Sequence, residues 1–176
     1  MAGALIVAAA LGPADFNWLD GERRRYFPPD RNQLDAHLTM FHALPPSLEG
    51  EARSTLKEQC NAPRPAATIA GLMNLGGGVA YRVVSPGLDA FRNALADHFH
   101  GSLTAQDAGG WRAHVTIQNK VPPARQRRYS TYLKETSARV RSRSMDLLFT
   151  DISEARGKRS GDGPFAASSS RRPRRN

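Results

Sequence analysis

Residues 36–46 read Ala36-His37-Leu38-Thr39-Met40-Phe41-His42-Ala43-Leu44-Pro45-Pro46, and residues 113–123 read Ala113-His114-Val115-Thr116-Ile117-Gln118-Asn119-Lys120-Val121-Pro122-Pro123. The two stretches align without a gap. Ala, His, Thr and both prolines coincide, while Leu/Val, Met/Ile and Leu/Val are conservative exchanges. Each apolar run reads as a strand, and each Pro-Pro as the approach to a helix. A strand-then-helix unit that occurs twice predicts two related lobes, each contributing the same kind of strand.

The flanking sequence extends this pattern. Ala4–Leu11 is apolar with no Lys or Arg before it, which reads as a buried first strand rather than a leader. Ala14–Tyr26 reads as a helix, Leu34–Ala43 as a second strand, and Ser47 as the N-cap of a helix reaching about Gln59. Ala66–Leu75 and Val79–Val84 read as strands joined by a hairpin at Gly76-Gly77-Gly78. Pro86 opens a helix to about Phe99, with Leu88, Phe91, Leu95 and Phe99 at helical spacing. Ala113–Lys120 is then a strand, Pro122–Arg143 largely a helix, and Met145–Thr150 a last short strand. Strands and helices interspersed with hairpins predict an α+β fold with mainly antiparallel sheet.

Composition bounds the class. Of 176 residues, 40% are apolar, enough for an interior and too many for wholesale disorder. The single cysteine, Cys60, excludes an internal disulfide framework and a Cys-based zinc finger, and fits a reducing, cytoplasmic compartment. No apolar run is long enough to span a membrane. The net charge of +9 is uneven. Residues 1–119 carry ten basic and eleven acidic side chains, whereas 120–143 carry eight basic ones against Glu135 alone. Residues 156–176 hold seven basic groups against Asp162, in a Gly-, Ser- and Arg-rich setting without apolar periodicity. The expected organisation is one domain over 1–155 and a disordered basic tail over 156–176, able to grip phosphates without sequence preference.

The repeat also carries the candidate chemistry. Side chains at i and i+2 of a strand share a face, so His37 projects with Thr39 and His114 with Thr116. An approximate two-fold between the lobes turns these faces toward each other across a cleft. Two imidazoles and two hydroxyls then meet in one small volume. That set suits a phosphodiester, with one His as general base, the other as general acid, and the Thr hydroxyls donating to non-bridging oxygens. A lone His-x-Thr would be an ordinary half-buried strand; its duplication with Pro-Pro at the same offset is what singles it out.

Alternation extends both stripes. Phe41 and Gln118, at i+4 from the histidines, are expected on the cleft face, to stack on a base and to bond a ribose or base edge. Lys120 continues the second stripe, and Arg82 sits on a strand; both are candidates to steer phosphate. Arg125, Arg127 and Arg128 read as a solvated helix face. His42 alternates away from His37, and His98 and His100 fit a helix end. No third ligand accompanies them at metal-binding spacing, and Gly76-Gly77-Gly78 lacks the Lys-Ser/Thr of a phosphate loop, so neither metal nor cofactor is expected.

With His37-Leu38-Thr39 and His114-Val115-Thr116 in hand, the sequence resembles the two-histidine phosphoesterases over roughly residues 4–150, in particular the 2'-5' RNA ligase-like and cyclic phosphodiesterase branch. The resemblance implies a bilobal α+β fold whose antiparallel sheets line a central cleft, with helices outside. It implies chemistry needing no metal or ATP: hydrolysis of 2',3'-cyclic phosphate ends of RNA or small cyclic nucleotides, and in some members reversible 2'-5' RNA joining. The expected protein is a monomer without an obligate protein partner. Two rival readings remain: a non-catalytic RNA-binding module using the same groove and the basic tail, and a phosphoesterase for a small molecule other than RNA.

Overall fold

The computed structural model describes residues 3–59, 63–136 and 143–154. The basic tail expected over 156–176, with residue 155, and the stretch 137–142 of the expected last helix lie outside the described residues. The chain is α+β. Its strands are β1 (Leu5–Leu11), β2 (Leu38–Leu44), β3 (Ala67–Asn74), β4 (Val79–Val84), β5 (His114–Gln118), β6 (Ser144–Met145) and β7 (Leu147–Glu154). The helices are α1 (Pro13–Tyr26), α2 (Glu49–Gln59), α3 (Pro86–His98), the single turn α4 (Ala105–Ala108) and α5 (Pro123–Thr136).

Among the described residues, all seven strands join one antiparallel sheet in the order β6-β3-β4-β5-β2-β1-β7. The two repeat strands, β5 and β2, are neighbours at its centre. Outward from this seam the order mirrors itself, with β4 answering β1 and β3 answering β7. The seam is narrow: Leu38 opposite Val115 is its one registered pair. Both side chains are fully buried, each stabilising the seam by about 1.5–3 kcal/mol relative to exposure. The two halves are therefore parts of one continuous sheet.

One face of the sheet carries the helices. Trp18 of α1 packs on Tyr81 of β4 with ring centroids 5.3 Å apart. Ala52 and Leu56 of α2 and Leu95 of α3 surround Phe41, Val7 and Leu44 over the other half. Helix α3 starts where a cap is available, since the Ser85 hydroxyl accepts from Leu88 N–H and Pro86 needs no partner.

The expected last strand, Met145–Thr150, is split between β6 and a β7 that runs on to Glu154. Three other boundaries differ from the sequence expectation by more than one residue, each for a local reason. Strand β2 begins at Leu38 rather than Leu34 because α1 holds the preceding segment by side chain. Arg23 Nε donates to Leu34 O at 3.0 Å, and Ala36 N–H donates to Asp20 Oδ1 at 2.9 Å. Ser47 is not an N-cap but lies within a 3-10 turn, Pro46–Leu48, which the fixed φ of the two prolines favours. Strand β5 ends at Gln118, because Lys120 adopts a left-handed φ of 54°. The Gly76–Gly78 hairpin stands as expected: Gly76 has φ 81°, and a Cβ on Gly78 would lie 1.9 Å from Gln118 O.

Candidate active site

The pairing Leu38↔Val115 has a direct consequence for the motif residues. Carried one residue either way along antiparallel strands, it sets His37 across from Thr116 and Thr39 across from His114. The His-x-Thr pairs thus meet reciprocally on the helix-free face. All four side chains are half-buried, while Leu38 and Val115 between them are fully buried on the other face. Beside each Thr the outer neighbour is an alanine, Ala8 opposite Thr39 and Ala80 opposite Thr116, leaving that floor low.

Both imidazoles are anchored identically. His37 Nδ1 is 2.6 Å from Asp35 O, and His114 Nδ1 is 2.7 Å from Arg112 O. A carbonyl only accepts, so each Nδ1 carries the hydrogen, and Nε2 is left as the proton-exchanging atom. Burial of the His37 ring holds its pKa below the ordinary 6.5, outweighing the opposing hydrogen bond to Asp35 O; the nearby Arg23 guanidinium adds to the lowering. Neutral imidazole is therefore the favoured form of His37 at neutral pH.

A matched pair of β-bulges follows the motifs. Thr39 pairs with Ala8 and Phe41 with Val7, so Met40 is an extra residue; Thr116 pairs with Ala80 and Gln118 with Val79, so Ile117 is another. Each extra residue inverts the alternation beyond it. This overturns the expected placing of Phe41 and Gln118 on the cleft. Phe41 is 0% exposed within the core, beneath the Arg92 guanidinium at 4.8 Å, and is not placed to stack on a base. Gln118 is 1% exposed on the helix-bearing face. Lys120 is also off the stripe, exposed in the turn beyond β5. Arg82, by contrast, pairs directly with His114 on β4 and is exposed beside it.

The bulges also call for side-chain donors. Thr39 O accepts from Trp111 Nε1 at 3.0 Å, and Thr116 O from Arg23 Nη1 at 2.9 Å. Arg23 is buried, bonds Asn32 Oδ1 as well, and its pKa is pushed down to about 10 by burial, so it stays charged at neutral pH. Sequence reading missed both donors, because nothing in their spacing links Arg23 to a strand 93 residues away.

Of the other histidines, His42 bonds Asp107 Oδ1 at 3.0 Å. The bulge that turns Phe41 into the core returns His42 to the side of His37, contrary to simple alternation, and its ring helps to lower the His37 pKa. Burial alone would raise the Asp107 carboxyl, but donors from His42 and Ala43 hold it below the usual carboxylate range. His98 bonds Glu51 on the surface at 2.7 Å. Among the described residues no three His, Cys, Asp or Glu side chains converge into a metal-holding group, and no helix is long and apolar enough to cross a membrane.

A continuous antiparallel sheet with two reciprocal His-x-Thr pairs at its centre defines the two-histidine phosphoesterase class. The family model of the 2'-5' RNA ligase superfamily matches residues 12–151, and the chain belongs to that superfamily. The superfamily is enzymatic, which sets the coarse activity as phosphoesterase or RNA ligase-like. No curated relative matches the chain.

Proposed function

We propose that the protein is a phosphodiesterase acting on 2',3'-cyclic phosphate ends of RNA or on small cyclic nucleotides, with His37 and His114 as its acid–base pair. The observation that carries this reading is the twin anchoring of Nδ1, at 2.6 and 2.7 Å, on rings brought into reciprocal register. Binding alone would need no matched proton-exchanging atoms.

In the proposed step His37 Nε2, kept neutral by burial, takes a proton from water as the water oxygen bonds to phosphorus. The bond from phosphorus to one ribose oxygen breaks, and His114 Nε2–H delivers its proton to that oxygen. Charge on the non-bridging oxygens is met by the Thr39 and Thr116 hydroxyls and by Arg82, which neighbours His114. The same groups acting in the same direction, with a ribose 5'-hydroxyl in place of water and the 3'-oxygen leaving as it takes the His114 proton, would join RNA ends 2'-5'.

The test incubates the protein with 2',3'-cyclic nucleotides and cyclic-phosphate-ended RNA, without ATP, with and without excess chelator. Turnover should survive chelation and fall by about 10²–10⁴-fold in folded His37→Ala or His114→Ala. A folded variant within threefold of wild type would sink the mechanism. Activity that vanishes with chelator and returns with a divalent ion would make the histidines metal ligands instead. RNA binding without turnover would leave a binding module.

A further inference from the structure

A cavity of about 570 Å³ opens on the helix-bearing face, between the C-terminal end of α1 and the flank of α5, where β5 ends. That size suits a small organic ligand. None of His37, Thr39, His114 and Thr116 lines it. Its charged lining is Arg25, Arg125 and Arg128, and among the described residues none of these three is ion-paired with a carboxylate. Three uncompensated guanidinium groups around one hollow call for an anion, and their flat fork suits phosphate.

The rest of the lining narrows the ligand. Tyr26 and Tyr132 sit with ring centroids 6.0 Å apart at 37°, Tyr132 is 41% exposed, and Arg25 lies over the Tyr26 ring at 5.5 Å. Tyr26 is itself packed on Tyr129, centroids 4.0 Å apart, so the exposed Tyr132 ring is the face on which a flat ring would stack. At the inner wall is Gln118, which the bulge at Ile117 turned away from the cleft. Its Nε2 reaches Tyr26 O at 3.5 Å, and its buried Oε1 has no hydrogen-bond partner. A buried acceptor left bare costs about 1–3 kcal/mol. It is satisfied by a ligand that brings an N–H.

We infer that this cavity is a nucleotide-binding site separate from the His-x-Thr cleft. The phosphate lies among Arg25, Arg125 and Arg128, the base against Tyr132, and a base N–H on Gln118 Oε1. The required set of anion, flat ring and N–H donor is that of a nucleotide, free or as one unit of an RNA strand. The site does not depend on the cleft being catalytic.

An azido-adenosine 5'-monophosphate photolabel, with adenosine monophosphate, adenosine, inorganic phosphate and a short oligoribonucleotide as competitors, tests this by mapping the labelled peptide. Saturable labelling is expected in the segments holding Tyr26 and Arg125–Tyr132, in wild type and in His37→Ala alike. Arg125→Ala/Arg128→Ala, both at exposed positions, should weaken it about tenfold or more. Gln118→Leu, which fills the same space without the acceptor, should weaken it several-fold, with folding checked by thermal melting. Competition by adenosine monophosphate better than by the oligoribonucleotide would mark a free nucleotide as the ligand, and the converse an RNA unit. Three results would overturn the assignment: label confined to His37–Thr39 and His114–Thr116, inorganic phosphate competing as well as the nucleotide, or Gln118→Leu and the arginine variant both binding as wild type. The cleft reading stands or falls separately, on turnover.

Discussion

At the residue scale, the two histidines look alike in sequence and are anchored alike, and burial holds the His37 ring neutral. In the unfolded chain its ring titrates near the ordinary 6.5. Between that value and the lower folded one, the unfolded state binds more protons, so acid favours unfolding. This share of stability is complete above about 6.5 and is lost as pH falls toward and through the folded pKa. His37→Asn should flatten that dependence. Urea unfolding of both proteins from pH 7.5 to 5 checks it, and parallel curves would contradict the burial argument. Phe41 makes the opposite case. Its ring fills the core between β1, α2 and α3, so Phe41→Ala should cost about 3–5 kcal/mol of stability. At temperatures where the variant stays folded, its KM for a cyclic nucleotide should match wild type. A raised KM with unchanged stability would return Phe41 to the cleft.

At the scale of elements, helix α1 works as a clamp. Asp20 and Arg23 hold the segment before His37, and Arg23 also holds the Thr116 carbonyl on the other motif strand. One side chain thereby couples the two halves of the site. Arg23→Met keeps much of the packing volume but leaves Asn32 Oδ1, Leu34 O and Thr116 O without that donor. The expected loss is about 3–5 kcal/mol. In whatever fraction folds, kcat should fall more than KM rises, since the Thr116 hydroxyl and the His37 ring would lose their alignment. Arg23→Lys should rescue part of the stability and little of kcat, because an ammonium cannot span the same three acceptors. Equal kcat in both variants would confine Arg23 to folding.

For the whole molecule, charge and chemistry are separable. Residues 156–176 bring seven basic groups and no His-x-Thr residue. Deleting them should weaken binding to long RNA and reduce its salt dependence, because fewer counterions are released on binding. Hydrolysis of a cyclic mononucleotide should stay as it was. Filter binding across a salt series and a mononucleotide rate assay separate the two effects. A deletion that lowers the mononucleotide rate would assign the tail a part in the site itself.

The α+β class, most strand and helix positions, and the two His-x-Thr pairs were legible in the sequence, because alternation and helical spacing are local and the repeat displays itself without coordinates. Local periodicity also misled where a bulge intervened. At Met40 and Ile117 one extra residue shifts the alternation, so Phe41 and Gln118 left the cleft that simple alternation assigned them. Nothing within either strand announces the bulge; it exists only against the register of β1 and β4. The same holds for Arg23 on Thr116 O, for Trp111 on Thr39 O, and for the arginine-lined cavity beside Gln118. Those contacts join residues far apart in the chain, and only the tertiary packing against the sheet decides them. Sequence by itself determined which groups are available for chemistry; tertiary structure decided which face each one occupies, since facing depends on the partner strand.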